Sequence, residues 1–310
     1  MGEKIEIMNL LQSKQVLEHE LQSLAYGSVE IRENESNKYI YVHYREDGVA
    51  LTKYVGEYSD ELYNLVLNNS IKAKQLKKQI REITKKLKQL NYTEEELSEK
   101  VEQNIDFAKR HLVDTIYKQA ILEGVATTFA DTESIIEGGK VNNMTSEDIL
   151  KIVNLKHAWE FILNKNVILS DTNFALLCEI NKMVEEGFYY TAGKVRNTPV
   201  TIGGTTWKPD LPIESVIKEE LEEIFSKELD DIDRAIELLL YTMKKQVFID
   251  GNKRTAVIYS NHYLISKGKG IIAIPAELTK EFKDLLIPYY EGKDENKIRE
   301  FIKEKCYMSI

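Results

Sequence analysis

From Leu62 to Leu90 the residues Leu62, Val66, Asn69, Ala73, Leu76, Ile80, Ile83, Leu87 and Leu90 recur four and three apart in strict alternation. All but Asn69 are apolar. A repeat averaging 3.5 residues holds one stripe on one side of a helix for about four heptads, and such a stripe needs a second helix to cover it. That partner precedes it: Ile7, Leu10, Lys14, Leu17, Leu21 and Leu24 keep the same spacing. Between the two lie residues 29–31, 39–44 and 49–55, rich in aromatic and β-branched side chains. Asp47-Gly48 separates the last two runs, a strong hairpin signal. The simplest assembly over residues 1–92 is a helix, a small β-hairpin tip and a long helix returning antiparallel. Such a stalk projects and does not form a compact enzyme core.

Charge sharpens this division. The 310-residue chain carries a net charge of −9, which argues against polyanionic partners for most of its surface. Residues 68–90 depart from that balance. Lys72, Lys74, Lys77, Lys78, Arg81, Lys85, Lys86 and Lys88 face one acid, Glu82, so the segment is +7 and the remainder −16. These cations fall off the apolar seam. They are either the solvated face of a coiled coil or, with Tyr39, Tyr41 and Tyr44 at the tip, an electrostatic footprint for nucleic acid. Residues 1–9 are charged throughout and lack the apolar block of a signal peptide, and no run approaches ~18 apolar residues. The expected location is cytoplasmic, with no membrane contact. Cys178 and Cys306 show no metal spacing and are expected to be reduced thiols.

Beyond Asn91 the sequence is helical in rhythm. Thr93-Glu94-Glu95-Glu96 is a capping-box start for a helix running to Glu123 and ending at Gly124. Thr145 with Asp148 opens another, carrying Ile152, Leu155, Trp159 and Ile162 on one face. Ser170 is expected to cap the next, which stops at Gly187. Amphipathic helices follow at 213–225, 232–245 and 252–267, and two more end the chain. The one β signal in this half is Val200-Thr201-Ile202 before Gly203-Gly204, read as a short hairpin.

Residues 246–256, Gln-Val-Phe-Ile-Asp-Gly-Asn-Lys-Arg-Thr-Ala, carry the chemistry. A loop at Phe248 to Gly251 runs into a helix that starts with Asn252, Lys253 and Arg254. A helix N-terminus presents unpaired N–H groups and a positive dipole end, which suits an anion. Lys253 and Arg254 add charge, and Asp250 is a hard oxygen ligand for Mg²⁺. Asp250 could equally cap the helix, and Arg254 could be a surface charge. No residue of the motif titrates near neutral pH: Gln246 donates and accepts hydrogen bonds but takes up no proton. His262, two turns beyond Arg254, is about 12 Å along the axis and too far to replace a base.

This motif resembles that of the Fic family, His-x-Phe-x-Asp/Glu-Gly-Asn-Gly/Lys-Arg, with Gln246 at the histidine position. Two further segments resemble the same family in the same order. Residues 193–209, Gly193-Lys-Val-Arg196 through Val200-Thr-Ile-Gly203-Gly204 to Pro209, look like its target-docking flap. Ser134-Ile-Ile-Glu137-Gly138 looks like its autoinhibitory helix motif, although Glu133 stands where a Ser or Thr is usual. An ordinary helix end at Glu137-Gly138 is the alternative reading. The resemblance covers about residues 115–275 and implies a mainly α fold: a Fic-type helical bundle over 93–310 with a short β-hairpin flap, preceded by the antiparallel coiled-coil stalk with its small β-hairpin.

The resemblance implies transfer of AMP from ATP to a hydroxyl of a target protein, Ser, Thr or Tyr. Asp250 would then hold Mg²⁺. Gly251, Asn252, Lys253 and Arg254 would bind the nucleotide phosphates. Val200, Thr201, Ile202 and Gly203 would align the target, and Ser134, Glu137 and Gly138 would belong to autoinhibition. Gln246 replaces the general base, a loss typically worth ~10²–10⁴ in rate. Lys253 stands where adenylylating members usually carry glycine; the Doc toxins share that lysine and transfer phosphate instead. Val257 occupies the place of a second arginine that usually pairs with the inhibitory glutamate. The expected function is therefore an ATP–Mg²⁺-binding Fic-domain protein with impaired transferase activity, a pseudoenzyme in the limit. The alternatives are an active nucleotidyl- or phosphotransferase without the base, or a nucleotide-sensing adaptor whose coiled coil binds a protein partner or DNA. Self-association is left open beside them.

Overall fold

The computed structural model describes every residue except 1, 35–36, 47–48, 91 and 93–96. The expected Asp47-Gly48 turn and the Thr93 capping box lie outside the described residues. The chain divides into two compact units, Met1–Thr93 and Glu94–Ile310.

In the first unit α1 (Gly2–Ser23) leads into a three-stranded antiparallel sheet of β1 (Ser28–Asn34), β2 (Asn37–Glu46) and β3 (Val49–Glu57), then α2 (Asp60–Gln89). The expected hairpin is the β2–β3 pair, joined Glu46 to Val49; β1 adds a third strand on the other side of β2. Ser59 starts α2 by accepting the Leu62 N–H on its hydroxyl, and Asp60 and Glu61 suit the positive end of the helix dipole. Alternation along β2 sends Ile40 and Val42 to one face, where they bury against Val66 together with Val29, Val55, Leu62 and Tyr63. Below the sheet α2 runs against α1. Asn69 donates its amide to the Ala25 carbonyl, Ser70 bonds Gly27, and Lys72 pairs with Glu20, so the two helices are antiparallel. Every seam position of α2 is buried or half-buried, with Val66, Ala73, Leu76 and Leu87 fully so.

The second unit is helical: α3 (Glu99–Arg110), α4 (Leu112–Leu122), α5 (Phe129–Ile136), α6 (Ser146–Ile162), α7 (Lys165–Ile168), α8 (Phe174–Val184), α9 (Glu214–Ser226), α10 (Asp231–Lys245), α11 (Asn252–Ser266), α12 (Thr279–Tyr290) and α13 (Asn296–Phe301). A two-stranded antiparallel pair, β4 (Ile271–Ile272) with β5 (Tyr307–Met308), ties the last segment to the loop after α11. It went unread in the sequence because two residues per strand give no alternation.

Three boundaries differ from expectation. The long helix to Glu123 breaks at His111 into α3 and α4, and α3 is capped by Ser98. Asn173, not Ser170, caps α8, accepting the Leu176 N–H; Ser170 instead donates to the Val167 carbonyl. Residues 196–209 contain no strand and turn at Gly203-Gly204 as an extended loop. The flap is therefore held by side chains rather than by a ladder of its own.

α11 is the axis of this unit, with α3, α6, α8 and α10 packed around it. Arg254 to Ile265 are all buried. A helix buried on all sides must pair its polar side chains internally. Asn261 does so with Val257 and both backbone groups of Ile272. His262 bonds the Val167 carbonyl and the Thr172 hydroxyl, and burial pushes its imidazole down to about 4. It is a neutral core histidine, as its distance from the motif required.

Candidate functional site

α10 ends where Gln246 turns into the left-handed region, φ 49° and ψ 58°, one of two such non-glycine residues among those described. That backbone costs about 1 kcal/mol for an ordinary side chain, so the surroundings must impose it. Arg196 does, donating Nε to the Gln246 carbonyl at 2.6 Å while its own N–H bonds the Val247 carbonyl. The Gln246 amide donates to the Met243 carbonyl, and its oxygen accepts from Asn252 Nδ2 at 3.2 Å.

Asn252 closes the loop from the other end. Its Oδ1 accepts the Phe248 N–H and its Nδ2 donates to the Phe248 carbonyl. Val247 and Phe248 are sunk in the core. The loop from 246 to 252 is thus a fixed rim. The Asn252 side chain points inward to hold it, which leaves only the backbone of that residue for a ligand.

Gly251 sits before α11 at φ 73° and gives the helix no side-chain cap. A Cβ there would stand 2.3 Å from Glu185 Oε1, and the left-handed backbone itself favours glycine. Asn181 ties the same turn to α8, donating to the Asp250 carbonyl and the Thr255 hydroxyl. Asp250 bonds the next N–H, that of Gly251, and its side chain is half exposed at the rim. It does not cap α11.

Arg254 is the centre of charge, with its side chain 3% exposed. Nη2 lies 2.8 Å from Glu185 Oε1 and 3.5 Å from Asp250 Oδ2, and Nε lies 3.7 Å from Glu123 Oε2. Lys253 reaches Glu123 at 3.4 Å. The close Glu185 approach is an ion pair without hydrogen-bond alignment: Glu185 Oε1, Arg254 Nε and Arg254 Nη1 are all buried with no hydrogen bond. Burial pushes Glu185 up to about 7, against the pull of Arg254 and with a further push from Asp250 and Glu123. Gln119 supports this cluster from below, donating to the Arg254 carbonyl and accepting from Trp159.

The motif residues Gln246, Asp250, Gly251, Asn252, Lys253 and Arg254 therefore converge on one loop–helix junction. Arg196 adds the flap, since Nη1 bonds the Thr198 carbonyl and Nη2 the Asp210 carbonyl, closing both ends of residues 198–210. Val200 and Ile202 are half-buried there, with Thr201 and Gly203 exposed. The far side rests on α12, where Trp207 stacks on Tyr290 at 5.6 Å and Thr205 bonds Glu291. Ser134, Glu137 and Gly138 end α5 in an ordinary way: Gly138 is left-handed and Gly139 donates to the Ser134 carbonyl. Glu137 is exposed, and the carboxylates at Arg254 are Glu123, Glu185 and Asp250. Glu123, Asn181, Glu185 and Arg196 were not read as site residues, because nothing local marks them and they arrive from α4, α8 and the flap.

These features define a helical protein in which a hydrogen-bonded loop meets the start of a buried helix. Residues 171–264 of the chain match the model of the Fic/DOC family. Its fold resembles that of Fic-1 (residues 134–508) from C. elegans, at 17% identity and TM-score 0.52, covering 76% of this chain and 72% of that one. A Fic-domain-containing signaling protein from Bacteroides thetaiotaomicron VPI-5482 aligns at 18% identity and TM-score 0.54, over 67% of this chain and 86% of the other. A Fic family protein from Desulfovibrio desulfuricans G20 aligns at 13% identity and TM-score 0.52, over 67% and 72%. No curated protein sequence matches the chain. Among the described residues no helix is long and apolar enough to cross a membrane.

Proposed function

We propose that the junction at 246–254 binds ATP with one Mg²⁺, and that transfer from the bound nucleotide to a protein hydroxyl is impaired. The observation that carries this reading is Arg254: a buried guanidinium with two nitrogens lacking hydrogen bonds, at the uncapped start of a 15-residue helix. A buried, unaligned charge is costly unless a ligand completes it. Phosphate oxygens would complete Arg254 and meet the first N–H groups of α11. Lys253 stands beside them at the rim. Bound Mg²⁺ would supply charge neutralisation between phosphates. Asp250, half exposed at the rim, would give the ion one carboxylate, with the rest of its ligands from phosphate and water.

The residues fit the group, with one condition. Glu123, Glu185 and Asp250 outnumber Lys253 and Arg254, so an anion enters more readily with a cation or with Glu185 protonated. At 246 no side chain accepts a proton near neutrality, and the Gln246 amide is already engaged with Met243 and Asn252. Electrostatic alignment of phosphate survives this substitution while proton removal from an incoming hydroxyl does not.

Calorimetry with ATP–Mg²⁺ tests the reading: micromolar binding is expected, weakened at least tenfold in Arg254→Met and in Asp250→Ala. No heat from the native chain rejects it. Incorporation from α-labelled and γ-labelled ATP, compared between native and Gln246→His chains, then separates AMP transfer, phosphate transfer and neither. Equal activity of the two chains would sink the proposed impairment.

A further inference from the structure

On α2 the residues Lys74, Lys78, Arg81, Lys85 and Lys88 are spaced by four, three, four and three, and all five are exposed. At 100° per residue they fall within an arc of about 80°, centred about 140° from the apolar seam, and they span about 21 Å of helix. Lys78 lies 4.0 Å from Glu82. Lys74, Arg81, Lys85 and Lys88 have no ion pair among the described residues. Of the other three cations of the segment, Lys72 pairs with Glu20, Lys77 lies over the Tyr26 ring, and Lys86 is exposed on a different side of the helix.

Like charges four apart destabilise a helix. Five in register along one straight edge concentrate that repulsion, and α1 covers the opposite side only. We propose that this ridge is a docking surface for the phosphate backbone of duplex DNA, independent of the nucleotide site. Charge complementarity names the occupant, since a duplex presents one negative charge per ~1.7 Å of axis along a rod. A single strand would call for aromatic side chains beside the cations to stack its bases. No aromatic residue lies on the ridge arc, whose flanking residues include Gln75, Glu82 and Gln89, and the ring beneath neighbouring Lys77, Tyr26, is half-buried and already covered by that lysine. With the remainder of the chain at −16, contact is confined to the ridge and blind to sequence.

The test is fluorescence anisotropy of the 310-residue chain with a labelled duplex of about 20 base pairs between about 50 and 200 mM salt. Five phosphate contacts give a log–log slope of about −4.5, a loss of roughly 500-fold over that range. Lys78→Gln/Arg81→Gln/Lys85→Gln is expected to bring the slope to about −1.8 and the loss to about 12-fold. Replacing the three with the other basic residue (Lys→Arg, Arg→Lys) keeps the native slope. Circular dichroism checks that the exposed substitutions leave the helix intact, and ATP binding on the same samples reports the other unit. No duplex binding by the native chain, or an unchanged slope in the triple variant, overturns the proposal. Displacement of the duplex by an equal charge concentration of poly-L-glutamate also overturns it, in favour of an acidic protein partner.

Discussion

Gln246 is held in a backbone conformation that most side chains avoid. Histidine, asparagine and aspartate enter the left-handed region several-fold more often than other residues, whereas β-branched side chains are outliers there. Gln246→His should cost less than about 1 kcal/mol and Gln246→Val about 2 kcal/mol or more, as read by urea unfolding. Glu185 is the second residue whose behaviour follows from its surroundings. Its carboxyl is raised above the ordinary value to about 7 by burial. Its contribution to stability is therefore complete below the unfolded value near 4.5 and is lost as pH rises through 7. The native chain should lose up to about 3 kcal/mol between pH 5 and 8 from this group, and Glu185→Gln should remove that drop. A flat difference between the two chains would show that Arg254 keeps Glu185 ionised throughout. Neither effect was readable beforehand. The motif announced Arg254, but its neighbour Glu185 comes from another helix, and burial of a carboxylate leaves no pattern in sequence.

At the level of elements, some local signals held, although Ser170 was read as the cap that Asn173 supplies. The seam of α2, the Thr145 start of α6 and the Asp250–Asn252 junction all follow from short-range chemistry. The flap was the instructive miss. Val200-Thr201-Ile202 has strand character, yet Arg196 supplies the closure that a ladder would have supplied, through three carbonyls at 50, 2 and 14 residues' separation. Arg196→Lys keeps the charge and loses the planar fork, so it cannot reach all three. The expected result is faster amide exchange across 198–210 and at 246–248, with α6 and α8 unchanged. Retained protection in the lysine variant would mean that Trp207 and Thr205 alone fasten the flap.

The molecule as a whole is two units with separate cores, one of which is small. Among the described residues the sheet packs on α2 through a small cluster, Ile40, Val42 and Val66 with four half-buried neighbours, against the large core around α11. Small cores are marginal, and calorimetry should resolve two transitions. Val66→Ala is expected to cost about 2–3 kcal/mol and to lower the first transition while leaving the second in place. A single transition shifted as one would mean that the units unfold together.

The stack of Trp207 on Tyr290 gives the protein an optical handle. The chain has two tryptophans, and the other, Trp159, is sealed in the core with its indole N–H on Gln119. Trp159 emission should stay constant while the fold persists. Lifting the flap would carry Trp207 from a ring face into water, shifting its emission to the red and opening it to iodide quenching. A peptide that lies along residues 200–203 would then report its own arrival, without a dye and without any chemistry having to occur.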